Sequence, residues 1–133
     1  SVLILPHVFC KIAAGEVPST EIYSDGDVYA FADIDPQAPF HAVIIPRKHI
    51  ASADEINGDN SYLVAKVFEA VAKIAKENEL CDGYRIVNNC GRDRPLGTCI
   101  FTCLQSAALS GLRADILSKN SERSVYLWKE FMK

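Results

Sequence analysis

Glu21-Ile22-Tyr23-Ser24-Asp25-Gly26-Asp27-Val28-Tyr29-Ala30-Phe31 places two short β-prone runs on either side of an Asp-Gly pair. β-Branched and aromatic side chains fit a pleated, half-buried surface, and Asp-Gly supplies the backbone freedom of a tight turn. The stretch therefore predicts a β-hairpin. Downstream, Ala42-Val43-Ile44-Ile45 reads as a third strand, closed by Pro46 and the basic group Arg47-Lys48-His49. Asn60 or Ser61 stands where a helix cap is expected, ahead of a helix running to about Glu79. Its apolar residues Leu63, Val64, Val67, Phe68, Val71, Ile74 and Ala75 recur at three- and four-residue spacing, which predicts one buried face. Gly83-Tyr84-Arg85-Ile86-Val87 and Thr98-Cys99-Ile100-Phe101-Thr102-Cys103-Leu104 read as a fourth and a fifth strand. Upstream of the hairpin, Phe9 to Glu16 reads as a short helix stopped by Gly15 and Pro18. Strands in succession with one long and one short helix predict an α+β domain built on a five-stranded antiparallel meander.

The 133 residues suit one domain, and an apolar fraction of 49% with interspersed charge supports a real core. A net charge of −3 gives no electrostatic reason to expect nucleic acid as a partner. No apolar run approaches the length needed to span a bilayer. The opening Ser1-Val2-Leu3-Ile4-Leu5-Pro6 is too short and uncharged for a signal peptide. Five cysteines, an odd count spread along the chain, argue against a disulfide framework. Reduced thiols in the cytoplasm are the expectation. Neither an internal repeat nor a low-complexity segment interrupts the pattern.

Four stretches, in order, resemble the histidine-triad (HIT) family and its branch of small nucleotide-binding phosphoramidases. They are Val8-Phe9-Cys10-Lys11-Ile12 with Gly15-Glu16-Val17-Pro18; Ala30-Phe31-Ala32-Asp33-Ile34-Asp35-Pro36-Gln37-Ala38-Pro39; Val43-Ile44-Ile45-Pro46-Arg47-Lys48-His49-Ile50; and Gly83-Tyr84-Arg85-Ile86-Val87-Asn88-Asn89-Cys90-Gly91. Each alone is a weak signal, whereas their order and separation together are a strong one. The resemblance implies a HIT-like fold and a purine nucleoside or nucleotide as ligand. It implies that Val8, Phe9, Ile12 and Phe31 wall an apolar slot for the purine. Asp33 would stand at the slot's edge and accept both ribose hydroxyl protons, with Ile34 beside the sugar and Asn89 donating towards the phosphate. Taken singly, Phe9 and Phe31 read more readily as plain core than as slot walls, and Asp33 ahead of Ile34-Asp35-Pro36 reads as a turn former.

The family's chemistry rests on a His-x-His-x-His strand after the glycine turn that follows Asn89. One histidine attacks phosphorus while the others bind and position the phosphate. This chain has three histidines, His7, His41 and His49, and none lies beyond Gly91. As written it has no catalytic residue. Cys99 or Cys103 would need a base or cation nearby to act as nucleophile, and the sequence offers no candidate. The genetic code supplies another reading. Gly97 to Leu104 can be encoded GGC-ACG-TGC-ATC-TTC-ACC-TGC-CTN. Regrouped from the third base, this reads CAC-GTG-CAT-CTT-CAC-CTG, which is His-Val-His-Leu-His-Leu. The same frame permits Gln, then Ser or Thr, then Val ahead of the first histidine. Further on it permits Trp-Pro-Pro-Gly from Ser110 to Ala114, then a stop from Ala114 and Asp115. Such a tetrapeptide ends the family branch. Residues after about Gly91 therefore read as an out-of-frame translation of a HIT gene. The interval from Gly91 to the hidden motif is short for the family, so a small deletion fits better than a single base.

The expected organisation is an N-terminal extension over 1–7, a HIT-like domain over 8–104 with an altered triad strand, and a non-family tail over 105–133. His7-x-x-Cys10 with His49 resembles part of a metal site, since some HIT proteins carry a Cys-x-x-Cys pair and a histidine in similar places. Zinc wants four ligands in a closed site, and the fourth would come from the lost region, so no cofactor is expected, with zinc as the alternative. The resemblance further implies a homodimer that pairs helices and the Gly83–Val87 strands across a two-fold axis. A non-catalytic nucleotide-binding or dimerising module is the alternative to a hydrolase. His41 carries no specific signal, and Arg47-Lys48 reads as a solvated turn.

Overall fold

A computed structural model describes residues 8–80, 82–90 and, as backbone, 101–105. The extension, positions 98 to 100 of the expected triad strand and the C-terminal tail lie outside the described residues. Element order is α1 (Val8–Ala13), β1 (Glu21–Ser24), β2 (Val28–Ala32), β3 (His41–Pro46), a single 3₁₀ turn (Ala53–Glu55), α2 (Ser61–Glu77), β4 (Tyr84–Asn88) and β5 (Phe101–Gln105). The α+β class, the hairpin and both helices stand as the sequence predicts.

The Asp-Gly hairpin closes through its aspartate. Asp25 Oδ1 accepts the backbone N–H groups of Asp27 and Val28, each at 2.8 Å, and Oδ2 accepts the Tyr23 hydroxyl at 2.7 Å. Partial burial pushes the Asp25 carboxyl up, but these donors outweigh it and hold the group below its ordinary value. Gly15 ends α1 at φ 80°, with Glu16 N–H bonded to Lys11 O and Gly15 N–H to Ile12 O. This double bond pattern is a Schellman stop. The end of α2 repeats it with Glu79 in the glycine position at φ 55°, and Leu80 N–H reaches Ala75 O.

At the other end of α2 the structure differs from the expected cap. Asn60 precedes the helix, but its side chain does not bond the first turn. It turns back instead, accepting from Asn57 N–H at 2.8 Å and donating to Glu55 O at 3.0 Å. A short polar side chain satisfies whichever backbone group comes nearest, and here the preceding turn wins.

Strand order in the sheet is β1-β2-β3-β5-β4, antiparallel at every pairing. The expected meander therefore holds only through β3. The 17 residues of α2, about 26 Å long at 1.5 Å per residue, carry the chain back along the sheet. β4 then forms an outer strand, and β5 fills the space between it and β3.

Two apolar layers cover the two faces. Leu63, Val67, Ala70, Val71 and Ile74 of α2 pack on Val28, Ala30, Ala42 and Ile44, with Ile22 and Ile86 partly buried against the same cluster. Each such aliphatic side chain contributes about 1.5–3 kcal/mol on full burial. On the opposite face Val8, Phe9 and Ile12 of α1 cover Tyr29, Phe31, Val43 and Ile45, with Val17 beside them. Strict alternation along β2 and β3 sends neighbouring residues to different layers, which is why all of Val28–Phe31 is buried.

Candidate functional site

The α1 face gathers most of the residues singled out in the sequence. Val8, Phe9, Ile12 and Phe31 form one cluster, and Ile34 packs against it. The Phe9 and Phe31 rings stack with centroids 6.1 Å apart, and Tyr29 lies 5.8 Å from Phe31. None of the four walls is more than 3% exposed. The four expected slot residues are thus packed as core, with half-buried Ile34 at the margin.

Strand register maps the rest of this face. Phe31 pairs with Val43, Val43 with Thr102, and Thr102 with Val87, giving a row across β2, β3, β5 and β4. Directly opposed residues in antiparallel strands share a face, so position 102 sits on the α1 side between Val43 and Val87. The next row joins Asp33, whose N–H bonds His41 O at 3.0 Å, to His41, Leu104 and Arg85. Asn89 follows β4 directly, at the far end of the Val87 column, and is half-buried. Asp33 and Asn89 therefore flank position 102 from opposite corners. Three inter-strand steps of about 4.8 Å separate their columns, on the order of 14 Å.

Asp33 is 7% exposed, and it packs against His41, itself 7% exposed. His41 Nε2 lies 3.1 Å from Asp33 Oδ2, close enough for strong electrostatic attraction, although aligned too poorly for a full hydrogen bond. Asp33 Oδ1 accepts the Asp35 N–H at 2.8 Å, in an Asx turn. On its other side His41 Nδ1 accepts the Gln37 N–H at 3.1 Å, while Gln37 Nε2 donates to Asp35 O at 2.8 Å. Burial pushes the His41 imidazolium down in pKa, and the charges of Asp33 and Asp35 oppose this without reversing it.

His41 is the residue that sequence reasoning passed over. It shares the alternating face of Val43 and Ile45, but a histidine at a strand start has no signature that sets it apart. Arg47 lies in an exposed bend, as a solvated turn implies, and makes specific bonds as well. Its Nε donates to Asp25 O at 2.6 Å, Nη1 to Ala13 O at 2.8 Å and Nη2 to Ser24 Oγ at 2.5 Å. The guanidinium also stands 5.4 Å from the Tyr29 ring centre. Arg47 thereby ties the end of α1 to the hairpin, using the fixed fork that only arginine has.

The candidate metal donors come together in part. Cys10 Sγ lies 3.2 Å from His49 Nδ1, bringing α1 against the residues that follow β3. His7 lies outside the described residues. Among the described residues no group of three or more potential ligands is arranged to hold a metal ion. Two donors do not fit the closed four-ligand site that zinc takes, so no step is assigned to a metal. Among the described residues no helix is long and apolar enough to cross a membrane.

Comparison with known proteins agrees with this geometry. Residues 6–94 match the family model described as scavenger mRNA decapping enzyme C-term binding. The chain is 39% identical over 85 residues to protein HitA of Neisseria gonorrhoeae, spanning 64% of this chain and 79% of that one. Against the purine nucleoside phosphoramidase of Escherichia coli K12 it is 37% identical over 86 residues, spanning 64% and 72% respectively. Among solved structures, a histidine triad protein from Clostridium difficile superposes with a TM-score of 0.71 at 39% identity, covering 73% of this chain and 87% of that one. A HIT family hydrolase from Legionella pneumophila gives 0.70 at 40% identity, covering 73% and 89%. With a family model matched over residues 6–94 and sequence and fold both shared with such proteins, the chain belongs to the HIT family.

Proposed function

We propose that this chain is a purine-nucleoside-binding HIT domain that lacks the family's phosphoryl-transfer chemistry as written. One observation carries the reading. Register puts position 102 at the centre of the α1 face, between Val43 and Val87, and the residue there is threonine. In the shifted frame that position is the third histidine of the motif. The other two histidines of that frame fall at positions 98 and 100, which lie outside the described residues. The family match ends at residue 94, close to the point where the reading frame departs.

The aromatic cluster would take the purine, Asp33 the ribose hydroxyls and Asn89 the phosphate end. With Thr and Ile at positions 98, 100 and 102, the phosphate end has no cation from this strand. Adenosine is therefore expected to bind about as well as adenosine monophosphate. Asp33→Ala should weaken both roughly tenfold or more, since a hydrogen bond to a charged group is worth about 1.5–3 kcal/mol. Titration calorimetry with the two ligands measures this. A clear preference for the monophosphate would mean that another group supplies the phosphate charge, and the reading would fall.

A second role, self-association, is supported by a separate observation. β4 is an outer strand of the described sheet, and Tyr84 on it is 37% exposed. On α2, Tyr62 is 51% and Phe68 49% exposed. Large apolar side chains exposed on a helix and on an outer strand suit an isologous contact with a second copy. Light scattering at high concentration should give twice the mass of the chain, and a monomer would refute the dimer alone. Cys10 and Cys90 are thiols rather than half-cystines, as suits a cytoplasmic protein.

A further inference from the structure

We propose that His41 is the positioning residue for ribose recognition: it orients the Asp33 carboxylate and so sets the preference for a ligand with vicinal hydroxyls. The inference rests on the reading of Asp33 as the ribose acceptor.

The argument begins with proton placement. The Gln37 N–H points at His41 Nδ1, so Nδ1 must present a lone pair. A neutral imidazole then carries its proton on Nε2, the atom 3.1 Å from Asp33 Oδ2. The ring is 7% exposed, and burial favours the same neutral form. The charged groups facing it, Asp33 and Asp35, both belong to the 33–37 loop. His41 itself is anchored in β3, paired with Leu104 of β5. A rigid strand thus holds one nitrogen against a loop amide and the other against a loop carboxylate.

Aspartate alone has a loosely defined terminal torsion, because a carboxylate on a saturated carbon turns in a broad, roughly two-fold well. Two contacts at different oxygens remove that freedom: Asp35 N–H on Oδ1 and His41 Nε2 at Oδ2. Held in one plane, the carboxylate can accept from two neighbouring hydroxyls at once. Left to rotate, it would lose that selectivity before it lost its charge.

The test separates the two nitrogens. Asparagine in place of His41 reaches the Nδ1 position and can still accept from Gln37 N–H, but it falls short of Asp33. Glutamine reaches the Nε2 position and keeps an N–H dipole facing Asp33 Oδ2, in place of the close electrostatic contact of the imidazole. Calorimetry with adenosine and 2′,3′-dideoxyadenosine, on the full chain, reads the ribose contribution directly. His41→Asn should lower adenosine affinity roughly tenfold while leaving the dideoxy ligand unchanged. His41→Gln should restore most of the discrimination. Circular-dichroism melting of each variant confirms that folded protein is titrated. Equal losses for both ligands, or asparagine and glutamine behaving alike, would overturn the role of His41. If Asp33→Ala leaves the discrimination intact, the reading of Asp33 fails instead.

Discussion

Hydrolysis of an adenosine phosphoramidate by the 133-residue chain is expected to run roughly 10⁴-fold or more below that of a HIT hydrolase with its triad intact. The covalent route needs a nucleophile that attacks phosphorus and then leaves it. The only histidines are His7, His41 and His49. His41 is committed to Gln37 and Asp33, and His49 lies against Cys10. Neither belongs to the central strand position where the register puts residue 102. Replacing the residues after Gly91 with the shifted-frame reading, with the missing glycine-turn residues supplied, should recover the activity. Sequencing the coding DNA across codons 88 to 116 shows which reading the gene holds. An intact mass matching the printed chain shows that the altered end is physically present. Turnover near that of an intact relative would sink the claim. It would direct attention to Cys99, outside the described residues, or to Cys103 in β5.

Phe31→Ala is expected to destabilise the fold by about 3–5 kcal/mol, the usual cost of removing a fully buried phenyl ring. Phe31 is 0% exposed, lies between the Phe9 and Tyr29 rings, and pairs with Val43 in the centre of the sheet. Against a typical total of about 5–15 kcal/mol, that loss would leave much of the protein unfolded on mild heating. Phe31→Leu keeps most of the volume and should cost far less. Urea unfolding midpoints at constant slope measure both. The experiment also distinguishes the two descriptions of this face. A cost below about 1 kcal/mol would mean that the ring borders open space and is not packed as core.

The element pattern was legible in the sequence because it rests on local rules. The Asp25-Gly26 turn, the α2 periodicity and the Gly15 stop each follow from neighbours a few residues apart. The apolar face and the missing histidines were legible too, since motif order and residue counts need no coordinates. What sequence alone left undecided depends on partners distant along the chain. Asn60 could satisfy either its helix or the preceding turn, and only the position of Glu55 and Asn57 settled that choice. Nothing near Arg47 in sequence shows that Ala13, Ser24 and Asp25 converge on it. β5 pairs between β3 and β4 because α2 spans the sheet, a consequence of helix length acting across the whole domain. That insertion puts residue 102 at the centre of the α1 face. His41 became meaningful in the same way: a strand-start histidine has no local signature, and its role follows from burial beside Asp33 and the Gln37 amide. Residue identity and motif order are one-dimensional, so the family pattern and the count of histidines could be read without coordinates. Tertiary structure decided which groups hold one another in place, because long-range pairing and burial exist only once the chain has closed on itself.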